Sequence, residues 1–126
     1  MKWLAKTIRK EQRALERARR RFIYKATEKR LHAVRTSGRR LRSLLEDVAD
    51  IAATSRLLRR VKRAAAATDA ARDATIIRGL LERSLDAGEA PMAVELLQEL
   101  RRRERAATLL ARKQLRHTSF RRSFAR

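Results

Sequence analysis

Apolar residues return every three or four positions along most of the chain, so the pattern predicts helices from end to end. From about Trp3 to Lys25, Leu4, Ile8, Leu15, Phe22 and Ile23 share one face. Lys2, Lys6, Arg9, Arg13, Arg17 and Arg20 take the other. A second stripe runs from about Thr27 to Ala49 through Leu31, Val34, Leu41, Leu44, Leu45 and Val48. Thr27 gives a weak cap, so this helix could also continue the first. A third begins after Asp50, with Thr54 or Ser55 as cap, and buries Leu57, Leu58, Val61, Ala64 and Ala65.

Thr68-Asp69 predicts a break, followed by a fourth helix to about Leu85 with Ile76, Ile77, Leu80 and Leu81 apolar. The run Asp86 to Pro91 is the clearest loop, because Gly88 suits a helix C-cap and Pro91 a helix first turn. The fifth helix should reach about Arg116 and bury Leu96, Leu97, Leu100, Ala107, Leu110 and Leu115. A last short helix could start at Ser119. The fold expected is all-α: an antiparallel bundle of about four to five amphipathic helices, with residues 1–126 as a single domain.

Composition narrows the function. The chain has 34 Lys plus Arg against 14 Asp plus Glu, a net charge of +20. Such a domain repels itself, and a polyanion would relieve the repulsion. Nucleic acid, an anionic membrane surface and polyphosphate all qualify. There is no cysteine and only two histidines, which excludes a disulfide framework and a thiolate-ligated metal site. No apolar run approaches the roughly 18 residues of a membrane span. No paired carboxylates or Ser-His-Asp arrangement is visible, so neither catalysis nor a cofactor is expected.

The stretch Leu31-His32-Ala33-Val34-Arg35-Thr36-Ser37-Gly38-Arg39-Arg40-Leu41-Arg42 carries the candidate chemistry. On a helix, His32, Arg35, Arg39 and Arg42 fall within an arc of about 80°, with Arg40 beside it. The row is about 15 Å long. Guanidinium groups stay charged and bind phosphate oxygens bidentately, so a linear phosphate chain would meet a donor at nearly every turn. Arginine faces often pair with acids nearby, as expected for Glu82 with Arg78 and for Glu99 with Arg102 or Arg103. Arg35 to Arg42 contains no acid, so pairing within the stretch cannot explain it. Arg56, Arg59, Arg60 and Arg63 also lack an adjacent acid and are candidates for the same cavity. Arg72-Asp73 is expected to be a structural pair, and nothing around His117 forms a pattern.

This stretch resembles the signature of CHAD domains, the conserved-histidine α-helical domains. Their motif reads apolar, His, two variable, Arg, apolar, two variable, Arg-Arg, apolar, Arg. His32, Arg35, Arg39, Arg40 and Arg42 match it, and Thr36 stands where the family usually has Val. Leu57 to Arg63 and Ala71-Arg72-Asp73-Ala74-Thr75-Ile76 resemble the second landmark, with Thr75 in place of its second Asp. Ser119-Phe120-Arg121-Arg122 is similar to the segment that opens the last helix of a half. The resemblance implies half of a CHAD fold, whose full form is two pseudo-symmetric helical halves around a basic cavity. It further implies binding of inorganic polyphosphate by the residues above, and a homodimer that supplies the second half. Localisation would be cytoplasmic, at polyphosphate granules. A nucleic-acid binder is the second choice, since aromatics for base stacking make up only 4%. A membrane-surface role comes third, because the apolar faces are claimed by a core.

Overall fold

In the computed structural model, which describes residues 2–48, 51–85 and 91–120, the periodic segments become four helices. These are α1 (Lys2–Tyr24), α2 (Glu28–Glu46), α3 (Ala52–Ser84) and α4 (Pro91–Arg116). No strand occurs among the described residues.

Thr27 separates α1 from α2. Its extended backbone turns the chain, and its side chain accepts a hydrogen bond from the Arg30 N–H. The cap that looks weak in the sequence is therefore made, and α2 is an independent helix. At the next junction the expectation of a Thr54 or Ser55 cap fails. The N-cap position of α3 is Ile51, with no side-chain cap bond. Thr54 lies inside the first turn, where its hydroxyl donates to the Val48 and Ile51 carbonyls.

The break expected at Thr68-Asp69 does not exist either. α3 runs unbroken for 33 residues, about 50 Å. Thr68 is buried, donates its hydroxyl back to the Ala65 carbonyl and accepts from Arg35. A threonine satisfied in this way sits inside a helix without ending it. The third and fourth expected helices are thus one. α4 starts at Pro91, as the proline suggested. The Gly88 cap and the short helix beyond Phe120 lie outside the described residues.

Successive helices pack antiparallel, and α4 returns to α1, which closes a four-membered ring. Arginines fasten the seams by taking helix-end carbonyls that have no partner within their own helix. Arg30 donates to the Arg21 carbonyl. Arg112 donates to the Ile23 and Tyr24 carbonyls, and buried Arg19 to the Leu115 carbonyl. The core inside the ring holds Ile8, Leu15, Phe22, Leu31, Val34, Leu41, Leu45, Leu57, Val61, Leu115 and Phe120. Leu4, Ile23 and Leu44 pack at its edge.

The far half of the α3–α4 pair departs from the expected burial. α1 and α2 are shorter, so among the described residues the two long helices have only each other beyond the level of Glu28 and Arg78. Leu80, Met92, Val94 and Leu96 are exposed there, as are Ile76 and Ile77 just short of that level and Leu110 farther along α4. Leu97, Leu100 and Ala107 are half-buried, and of the α4 positions expected inside only Leu115 is fully covered.

Candidate functional site

α2 presents Glu28, His32, Arg35, Arg39, Arg42 and Glu46 at intervals of three or four, which puts them along the side turned toward α3. A cavity of about 650 Å³ opens there. Lys29, His32, Arg35 and Arg39 line it from α2, and Arg72 and Ile76 from α3. Five nitrogen-bearing side chains thus converge on one space.

The row is more bound into the protein than the sequence suggested. Arg35 Nη1 lies 2.9 Å from Asp69 Oδ1 and 2.7 Å from Thr68 Oγ1, and also reaches the Ala65 carbonyl. The acid absent from the stretch itself comes from α3. Arg42 pairs with Glu46 one turn on, at 2.7 Å. Arg42 Nε is the donor, and this hydrogen bond leads the causes that hold the Glu46 carboxyl below its ordinary range. Among the described residues no carboxylate stands within ion-pair distance of His32, Arg39 or Arg40. His32 Nε2 is 3.4 Å from the Thr36 hydroxyl. Arg39 and Arg40 are both exposed, and only Arg39 lines the cavity.

The four arginines grouped from α3 stand elsewhere. Arg56, Arg59 and Arg63 are exposed, and none lines the cavity. Arg60 is half-buried and donates to the Ser119 carbonyl, toward the end of the described chain. Lys29 and Arg72 take their place in the groove. Arg72 could have been found from an unbroken α3: antiparallel pairing of Arg35 with Asp69 brings residue 72 level with His32. Arg72 also pairs with Asp73 at 3.0 Å, as expected.

Two polar networks hold other seams, one between α1, α4 and Phe120 and one beside the groove. Glu16, buried in α1, accepts from Arg19, Arg20 and the Phe120 N–H. Gln12 donates to the Phe120 carbonyl. Burial opposes ionisation of Glu16, but these hydrogen bonds outweigh it and hold the carboxyl below its ordinary value. The second network centres on Arg78, which reaches Glu104 at 2.9 Å, Glu82 at 3.0 Å and Glu28 at 3.3 Å. Glu82 also pairs with Arg101. Glu99 with Arg102 and Arg103 completes the expected pairs.

The groove offers guanidinium, ammonium and imidazole donors and suits an anion with several oxygens. Among the described residues, no group of three or more His, Asp or Glu side chains is placed to hold a metal ion. No helix among them is long and apolar enough to cross a membrane. A family model described as CHAD domain matches residues 2–126. No curated protein and no solved structure matches the chain.

Proposed function

Since the chain belongs to the CHAD domain family, which is associated with polyphosphate binding, we propose that it binds inorganic polyphosphate in the α2–α3 groove without catalysing a reaction. The observation that carries this reading is the convergence of Lys29, His32, Arg35, Arg39 and Arg72 on one cavity. Cations spread over a surface gain little from an anion, because water and salt screen each contact. Donors gathered around a concave space meet several oxygens of one ligand at once, and every guanidinium–phosphate contact is charge-assisted.

We further propose that two copies associate through the exposed apolar part of α3 and α4. Ile76 lies on both this surface and the groove wall. A second copy seated there would cover Ile76, Leu80 and Met92 and extend the groove wall. Two chains of net charge +20 repel each other, so polyphosphate would promote their association by neutralising the groove.

The second reading, sequence-independent binding of nucleic acid, draws on the exposed Arg56, Arg59 and Arg63, which stand clear of the groove. Such contacts to backbone phosphates would show a steep salt dependence. Competition between long-chain polyphosphate and duplex DNA for immobilised protein at physiological salt separates the two. Polyphosphate at equal phosphate concentration is expected to displace DNA, and DNA is expected not to displace polyphosphate. The reverse order would favour the second reading.

A further inference from the structure

The groove ends against an acidic knot. At the N-terminal end of the α2 row, Glu28 lines the His32 cavity and also a second cavity of about 410 Å³ between the α1–α2 turn and α4. Leu31 and Thr75 are likewise common to both, so the two spaces share a wall. The second cavity is basic too, lined by Lys25, Arg105 and Arg112. Arg112 is spent on the Ile23 and Tyr24 carbonyls, while Arg105 is exposed with no carboxylate in ion-pair range among the described residues. On the shared wall stands Glu28, and Arg78 joins it to Glu104, which lines the second cavity, and to Glu82 one turn farther along α3.

In a protein with 34 cationic side chains and 14 acids, this is a place where carboxylates outnumber guanidiniums: three against Arg78 and Arg101. Glu28 is the most exposed member of the knot, with its side chain 69% exposed. A phosphate chain moving along α2 past His32 would meet this carboxylate before it could reach Arg105. Like charges at contact distance disfavour each other, all the more beside low-dielectric protein.

We propose that Glu28, backed by Glu82 and Glu104 on Arg78, is an anionic stop that keeps the groove from running on into the second cavity. The groove then accepts a short condensed phosphate, or one segment of a longer chain, as far as His32 and Lys29 and no farther. Glu28 is on this account a specificity-determining residue for ligand length. This rests on the polyphosphate reading of the groove.

The test is binding of tripolyphosphate and of long-chain polyphosphate to wild type, Glu28→Gln and Glu95→Gln. Glu95 is an exposed α4 acid that lines neither cavity, so its change removes the same charge elsewhere. Gln at 28 keeps the shape, and Arg78 retains Glu82 and Glu104. Glu28→Gln is expected to tighten long-chain binding about three- to fivefold, the scale of one relieved contact with an exposed like charge, and tripolyphosphate binding far less. Adding Arg105→Ala should cancel the long-chain gain. Glu95→Gln should move both ligands equally and by less than about twofold. Equal shifts for both ligands in Glu28→Gln, or the same gain in Glu95→Gln, would overturn the stop while leaving the groove intact. Wild type that binds neither phosphate would remove the groove reading itself, and the stop with it.

Discussion

Arg35 crosses from α2 to α3 and sets its Nη1 2.9 Å from Asp69 Oδ1, with its side chain largely buried and that of Asp69 half exposed. The pair therefore joins two helices and at the same time holds a site arginine at the groove wall. Arg35→Ala should lower stability by about 1–2 kcal/mol, because Thr68 and Asp69 lose a charged donor while water still reaches the acid. It should also weaken phosphate binding. Asp69→Asn should act differently: a small stability loss, with phosphate binding retained or tightened a few-fold, since the carboxylate competes for the same guanidinium. Thermal melts and phosphate titrations on both variants measure this. Weaker binding in Asp69→Asn would mean that positioning outweighs competition.

Acid should loosen the anchor of the chain end. Glu16 has a lowered carboxyl pKa in the folded state, so it contributes stability that is fully present above the ordinary carboxylate value of about 4.3. That contribution is lost as pH falls through the lower, folded value. Glu104 behaves alike: burial opposes its ionisation, but the bonds from Arg78 and Thr75 prevail. Melting temperature should fall through this acid window, and the slope should be shallower in Glu16→Gln, which is already weaker at neutral pH. Trypsin cleavage after Arg116 should accelerate in that variant, because the amide has one neutral acceptor oxygen for Arg19, Arg20 and the Phe120 N–H, where the carboxylate has two charged ones. Identical pH slopes for the two proteins would contradict this assignment.

Gly38 sits inside α2, between Arg35 and Arg39, and a Cβ built there meets nothing within 4 Å. Glycine in a helix interior costs about 0.5–1 kcal/mol relative to alanine. Gly38→Ala should raise stability by about that amount in a chemical denaturation series, with phosphate affinity unchanged. A destabilised variant would show that α2 needs local give at the site.

Association should depend on the uncovered apolar surface. Leu80→Glu with Met92→Glu changes two exposed side chains, so the monomer should keep its stability within about 1 kcal/mol, at about 0.5 kcal/mol for each surface change. Light scattering with polyphosphate should then show a dimer for wild type and a monomer for the variant. A wild type that stays monomeric at high concentration with ligand would end the dimer proposal.

The His32 row was legible in the sequence because helical phase alone puts residues 32, 35, 39 and 42 on one side. Its far wall was not. Reading Thr68-Asp69 as a break hid Arg72, because neither the Thr68 back-bond to Ala65 nor the Arg35 bond across the seam is a local property. The same crossing supplied the acid that the stretch lacks. In α4, periodicity correctly marks an apolar side at Leu96 and Leu110 but cannot say whether a neighbour reaches it, and α1 and α2 are too short to cover Leu96. Arg56, Arg59 and Arg63 show the converse: a run without acids reads as a site, yet it can simply face water.

The central claim is that position in the groove, and not charge alone, determines binding. Lys29, Arg39 and Arg72 changed together to Ala remove three charges that line the cavity. Arg56, Arg59 and Arg63, exposed like the first three, remove when changed together three charges that do not line it. A charge-assisted bond contributes about 1.5–3 kcal/mol, and an exposed, screened charge about 0–1 kcal/mol. Calorimetric titration with polyphosphate at physiological salt should therefore show the groove triple losing affinity a hundredfold or more, as summed from such bonds, and the outer triple only a few-fold. Equal losses, with helicity intact in both, would contradict the account and leave a polycation without a site.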